Sequence, residues 1–380
     1  MLKPYPLQPL STRILAISSD FRRVSFLLVA AVMVVFLCGC GSMDSSTRKP
    51  RATLLFCGDL MLDWGIMESC DTHGYEYPLE HLSSLLKDFD FCFCNLECVI
   101  SDTATPRPGK KYIFRASSRY LRVLTSAGIS GVTLANNHIM DYGETGLMDT
   151  MVHLDAQNIL RTGAGTNASN AYRPMVTNIR GIRLAVMGIC ALRYEESYAD
   201  SKTAGIARGN ISSIAPVLKK YRDWNDIIAI SIHWGNEYSD FPEKSQVTLA
   251  HQLIDAGADI IIGHHPHVYQ GVEIYKNKPI LYSLGNFLFG SINEDVRDNI
   301  VAGFTVEKNT VKKMVIYTIH GTNDQNNPFR PQQIKGKKAE DVLTHLVNIS
   351  MPLGSTFPGG AKIKGDAIEY EFKNSPGEPK

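Results

Sequence analysis

ADIIIGHHPHVYQG, residues 258–271, decides how this chain is read. Three isoleucines and a glycine lead straight into three histidines within four positions, His264, His265 and His267. Such a cluster can be a surface accident, a structural metal clip or the mouth of an active site. The isoleucines narrow the choice, because a short β-branched run closed by glycine is the pattern of a buried strand. In open α/β sheets, sites form just beyond the carboxyl ends of such strands.

The same arrangement recurs along the chain. ATLLFCG, DFDFCFCN, GVTLAN, RLAVMGI, DIIAISIH and PILYSLGN read as further buried strands. Between them, PLEHLSSLLKDF, SRYLRVLTSAG, ETGLMDTMVHLDAQ, SSIAPVLKKYRDW and SQVTLAHQLIDAG carry apolar residues at helical spacing. This alternation predicts an α/β domain with helices on both faces of a sheet. After Asn286 the pattern changes. NIVAGFTVEKNTVKKMVIYTIH predicts an antiparallel hairpin, and KAEDVLTHLVNIS a further helix.

What ends each strand forms a chemically coherent set. The strand ends deliver Asp59, then Asn95 and Glu97, then Asn136, Asn137 and His138, then His233, and finally the histidine cluster. Imidazole, carboxylate and amide oxygen together suit a divalent ion such as manganese, iron or zinc. No thiolate belongs to the set, which argues against a structural zinc. Two ions could share one carboxylate.

The ends of the chain set its context. Arg22 and Arg23 precede the apolar run VSFLLVAAVMVVFL and then CGCGS, the layout of an export signal. Leu37-Cys38-Gly39-Cys40 resembles a bacterial lipobox with Cys40 as the lipidation site. An uncleaved membrane anchor is the other reading of this run. Both make the chain an exported, membrane-anchored protein of the cell envelope. Residues 1–40 are therefore expected to be a lipoprotein signal peptide and 41–51 a polar linker. Residues 52–350 would form the folded domain, and 351–380 a Gly/Pro-rich tail, loosely ordered or an edge hairpin. The composition is globular, 44% hydrophobic and 20% charged. A formal net charge of +1 offers no basic field for nucleic acid. Beyond the leader, six cysteines fit no zinc-finger spacing; Cys70 with Cys98 is the expected disulfide if one forms.

GDLML, CNLE, LANNHIMDYGETGL, IHWGNEY, GHHPHVYQG and PILYSLGNFLF, in this order, resemble the signature segments of the CapA (poly-γ-glutamate capsule synthesis) family of the calcineurin-like metallophosphoesterase superfamily. The resemblance implies a four-layer α/β/β/α sandwich, metallo-dependent phosphatase-like, with two sheets rather than one. It implies Asp59, Glu97, Asn137, His233, His265 and His267 as ligands of two divalent ions, with Glu97 as the bridge. His138 would be the proton donor, and Asp141, three residues on, would orient it. Asn95 and Asn136 would stand close behind, Asn286 would reach the site from its turn, and Glu237 would line the cleft. Lys111 and Arg115, in KKYIFR, would either meet an anionic substrate or belong to a solvated loop. His264 is expected to carry no role. Two departures stand out: Met61 occupies the place of a second first-motif ligand, and the bridge is Glu97 rather than an aspartate.

The resulting expectation is metal-assisted hydrolysis, with an anionic envelope polymer or a phosphoester as substrate. The rival expectation is a non-catalytic poly-γ-glutamate-binding accessory subunit of a capsule synthase or export complex. A degenerate scaffold without metal is the third.

Overall fold

A computed structural model describes residues 49–193, 195–290, 298–320 and 329–373. The leader, Cys40 and most of the 41–51 linker lie outside the described residues. No helix among those described is long and apolar enough to cross a membrane.

Two sheets dominate. The first is built on β1 (Arg51–Leu60), β2 (Phe91–Leu96), β3 (Gly131–Thr133) and β4 (Leu160–Thr162), all parallel neighbours. The second contains β5 (Met175–Ile179), β6 (Ile182–Cys190), β7 (Ile227–His233), β8 (Ile260–His264), β9 (Val272–Tyr275) and β10 (Lys278–Leu281). The short β11 (Asn286–Leu288) returns the chain to β1. There β12 (Asn299–Glu307) and β13 (Thr310–Ile319) form the antiparallel hairpin expected from the alternating runs. The order is β14 (Lys362–Lys364), β15 (Ala367–Glu371), β13, β12, β1, β2, β3, β4, with β11 off the path.

Strand alternation sorts the side chains into three cores. Leu55, Cys57, Cys92 and Cys94 face outward under α1 (Gly65–His73), α2 (Arg122–Ala127) and α3 (Gly143–Ala156), which contribute Ile66, Leu124 and Leu147. Their neighbours Leu54, Phe56, Phe91 and Phe93 face inward and meet Leu184, Val186, Ala229 and Ile262 of the second sheet. The outer face of that sheet, with Met187, Ile230 and Ile261, is covered by α4 (Ile211–Arg222) and α5 (Lys244–Asp255). Helix, sheet, sheet, helix: the four-layer α/β/β/α sandwich is the observed fold. Over their parallel strands the sheets carry helices on the outer face and meet each other on the inner one, which corrects the two-faced cover expected from strand–helix alternation. A buried strand is apolar on both sides whether its second face meets a helix or another sheet. The expected helix over KAEDVLTHLVNIS forms as Gly336–Ser350 and packs Leu343, Leu346 and Ile349 into the inner core.

Residues 351–380 include the edge hairpin that was one of the two readings of that stretch: β14 and β15 pair antiparallel, and β15 pairs with β13, extending the first sheet. One other expectation is corrected. No disulfide joins Cys70 to Cys98; the six described cysteines are free and buried. Burial pushes the Cys70 thiol up to about 12, so it is a small apolar filler rather than a reactive group.

Phe56 shows what holds the sheets together. Fully buried, it packs on Phe93 and Phe304 with ring centroids 5.8 and 5.9 Å away. Phe56→Ala leaves a cavity between rigid layers, and a loss of about 3–5 kcal/mol is expected in urea unfolding. A loss below about 1 kcal/mol would show that the two sheets collapse onto the gap.

Candidate metal centre

The carboxyl ends of both sheets share one rim, and strand register sets the side chains there in rows. Asp59 at the end of β1 pairs with Asn95 of β2 on one side and with Asn286 of β11 on the other. In the second sheet His233 of β7 lies opposite His264 of β8. The approach of β1 to the turn before β11 needs glycine, since a Cβ at Gly58 would overlap the Gly285 carbonyl oxygen. The Asp59 N–H donates to that same oxygen at 2.9 Å.

Asn95 ties the sheets' contributions together. Its Nδ2 donates to Asp59 Oδ1 at 2.8 Å and to His233 Nδ1 at 3.3 Å. Its Oδ1 accepts from Asn136 Nδ2 at 2.9 Å. Asn136 also donates to the Leu96 carbonyl at 2.8 Å and accepts the N–H groups of His138 and Ile139 at 3.1 and 3.0 Å. Both amides are completely buried and committed internally. Expected to stand close behind the ligands on the substrate side, they are turned toward each other and toward Asp59, His233 and the Leu96 carbonyl.

The two carboxylates are treated differently. Asp59 accepts from Asn95, from the His265 N–H at 3.1 Å, and lies 3.2 Å from His264 Nδ1. Burial acts to raise its pKa, but the contacts with His264, His267 and Asn95 outweigh it and hold the group below the ordinary value. His264, expected to be idle, therefore stabilises the Asp59 charge. Glu97 has no such support: both its oxygens are buried without a hydrogen-bond partner. Burial raises it well above the carboxylate range, and the negative charges of Asp59, Glu237 and Asp141 add to that. A buried carboxyl group left so bare has either to bind a proton or to hold a cation.

Cation donors surround it. Glu97, His233 and His265 each offer an atom within 4.8 Å of the others', and so do Asp59, Glu97 and His267. Glu97 belongs to both groups, as a bridging carboxylate would. Glu97 Oε1 is 3.5 Å from His233 Nε2, and the same nitrogen lies 2.9 Å from Asn137 Oδ1. His265 Nδ1 is buried and unpartnered. His267 Nδ1 lies 2.9 Å from Asn286 Oδ1, so Asn286 reaches the centre by backing an imidazole. His265 and His267 have φ of 98° and 60°, left-handed values unusual for side chains flanking a proline. Strain of this kind persists where surrounding structure holds a loop in place for a purpose. The donor set fits a divalent cation.

His138 stands beside the centre with its ring 4.2 Å from that of Phe114. Its Nδ1 lies 2.8 Å from Asp141 Oδ2, as the spacing leads one to expect. Lys110 was not foreseen: it pairs with Asp141 Oδ1 and donates to the Asn137 carbonyl at 2.5 Å. Lys111 and Arg115 do not take part. Lys111 is exposed over Tyr112, while Arg115 bonds the Ala104 carbonyl at 2.8 Å and covers Tyr142. The cation at this rim is one residue earlier than expected. Glu237 is exposed at the mouth.

Fold and site together define a metallophosphoesterase-like protein. Residues 53–291 match the family model of the bacterial capsule synthesis protein PGA_cap, and the chain belongs to that family. It is 30% identical over 269 residues to the capsule biosynthesis protein CapA of Bacillus anthracis, covering 69% of this chain and 66% of that one, just short of two thirds. It is 28% identical over 297 residues to the PGA biosynthesis protein CapA of Bacillus subtilis, covering 78% of each. Among solved structures it is similar to a 5'-nucleotidase precursor from Thermus thermophilus, with 14% identity and a TM-score of 0.43 over 80% of this chain and 60% of that one.

Two measurements test the geometry. Lys110→Met removes the partner of the buried Asp141 and of the Asn137 carbonyl; a cost of about 1–3 kcal/mol is expected in urea unfolding of the metal-free protein, partly recovered by Lys110→Arg. An unchanged midpoint would mark Lys110 as a surface accident. Burial, helped by His267 and His138, pushes His265 down to about 3. Between about pH 3 and the ordinary imidazole value near 6.5, the unfolded chain binds a proton the folded metal-free protein refuses. Stability from this group is thus present above 6.5 and lost as pH falls. The stability difference between the unmodified protein and His265→Asn, both stripped of metal, is expected to rise across that window by up to about 1.4 kcal/mol per pH unit. A flat difference contradicts it.

Proposed function

We propose that this protein is an exported, lipid-anchored, metal-dependent hydrolase of poly-γ-glutamate capsule or related envelope-polymer metabolism. The observation that carries the reading is Glu97, a buried carboxylate with both oxygens bare, set between two groups of donors. Asp59, Glu97 and His267 would hold one divalent cation, and Glu97, Asn137, His233 and His265 the other. When bound, the ions supply Lewis acidity, polarising a phosphoryl or acyl oxygen and offsetting charge that develops there.

This chain's own residues do the rest. His138, oriented through Nδ1 by Asp141, presents its other ring nitrogen for proton transfer to a leaving group. Asp141 is fixed by Lys110 and by the Phe114 N–H at 2.9 Å, so the imidazole has one orientation. Phe114 and Phe289, packed against His138 and His267, limit water on that side. Cys40 would carry the lipid, leaving the polar segment to set the domain off the membrane. The names of the two CapA relatives speak for a capsule setting. They also favour the second reading, an accessory subunit that binds the polymer through its ions without turnover.

Elemental analysis of the purified chain, followed by turnover of phosphomonoesters, phosphodiesters and γ-glutamyl peptides, separates these cases. The hydrolase reading expects bound divalent metal and cleavage of one class, reduced about 10²–10⁴-fold by His138→Ala. Metal with polymer binding and no turnover supports the accessory subunit; absence of metal removes both. Loss of membrane association in Cys40→Ser is expected, and its persistence would reassign the anchor.

A further inference from the structure

The two candidate cation positions are unequally provided. One has Glu97, Asn137, His233 and His265 around it; the other has Asp59, Glu97 and His267. The neighbouring amides do not make up the deficit, since Asn95 Nδ2 points a donor at Asp59 and Asn286 Oδ1 is occupied by His267. Met61, two residues beyond Asp59, is fully buried, and its sulfur accepts the Asp63 N–H at 2.9 Å.

Glu237 stands beside this position, sharing His267 with it and also reaching His265 of the other. One of its carboxylate oxygens groups with ring nitrogens of His265 and His267, all within 4.8 Å of one another. It makes no hydrogen bond or ion pair with any other described residue. Its turn is built to hold it there. Gly235 and Tyr238 take left-handed φ of 81° and 59°, and the Tyr238 N–H donates to the Pro266 carbonyl at 2.8 Å. That bond fastens the Glu237 turn to the loop carrying both histidines.

We propose that Glu237 is the fourth protein ligand of the cation that Asp59, Glu97 and His267 would hold, and the one a substrate displaces. This rests on the two-cation reading above. With three carboxylates the loaded centre carries a net charge of +1, and releasing Glu237 raises it to +2 just where an anion must bind. Asp59 and Glu97 are completely buried, whereas Glu237 alone of the set is exposed and able to swing aside.

The test is calorimetric titration of manganese(II) chloride into the full chain, solubilised in detergent and stripped with chelator. The unmodified protein is expected to take up two ions. Glu237→Gln should keep one with unchanged affinity and bind the second at least about tenfold more weakly, with Glu237→Asp intermediate. Because Glu237 is exposed, the metal-free variants should match the unmodified chain in circular dichroism and melting temperature. Two ions held as tightly by Glu237→Gln, or one ion in the unmodified chain, overturn the assignment. No uptake by the unmodified chain overturns the two-cation reading itself.

Discussion

Two carboxylates, Asp59 and Glu97, are fully buried at the ends of adjacent parallel strands, and the rest of the site follows from how that charge is compensated. Two like charges in a low-dielectric pocket repel strongly. The protein answers for Asp59 with Asn95, His264 and the His265 N–H. For Glu97 it supplies nothing but imidazole and amide lone pairs at a distance. Lone pairs cannot neutralise a carboxylate, but they can share a cation with it. The asymmetry is therefore informative: one carboxylate is stabilised by protein donors, and the other awaits charge from outside.

The sandwich is what lets donors so distant in sequence converge. With the inner faces of two sheets packed together, the carboxyl ends of β1, β2, β7 and β8 open onto the same rim. A single sheet covered by helices on both sides would keep Asp59 and His265 in different crevices. Parallel register does the fine placement, opposing Asp59 to Asn95 and His233 to His264. The strained His265-Pro266-His267 turn is held by hydrogen bonds at both edges, from the His265 N–H to Asp59 and from the Tyr238 N–H to the Pro266 carbonyl. The inter-sheet core around Phe56 offsets this local strain.

What was legible in the sequence is what periodicity and residue type determine. Apolar runs locate strands, and polar residues ending them locate the rim, so Asp59, Glu97, Asn137, His138, His233, His265 and His267 could all be named. The number of sheets was not in the periodicity; it came from the family resemblance. Partnership was harder still. Asn95 and Asn136 carry the same amide as Asn137, and only the identity of the facing group separates a structural clamp from a candidate ligand. Lys110 and Lys111 are adjacent in a loop without periodicity, so spacing could not decide which turns inward. The C-terminal hairpin was legible as one of two readings of a Gly/Pro-rich stretch, but its pairing with β13 was not, because that strand lies some fifty residues earlier. The contact of His264 with Asp59, about two hundred residues away, is beyond what local pattern can reveal.

The histidines of this rim are sorted by what stands behind them. His233 and His265 are buried, face other imidazoles, and are driven toward neutrality, the form in which a ring nitrogen binds metal. His267 Nδ1 is backed by the neutral amide of Asn286 at 2.9 Å, with Asp59 Oδ2 farther off at 3.6 Å. His138 alone is backed by a carboxylate that has its own cation: burial lowers its pKa, but Asp141 works against that. A ligand is best kept neutral, whereas a proton donor must be able to acquire charge and return it. Side chains of one type thus divide into two tasks by environment, and the division follows the same line as the chain's own geometry. The donors around Glu97 lie on one side, and the Lys110–Asp141–His138 series lies on the other.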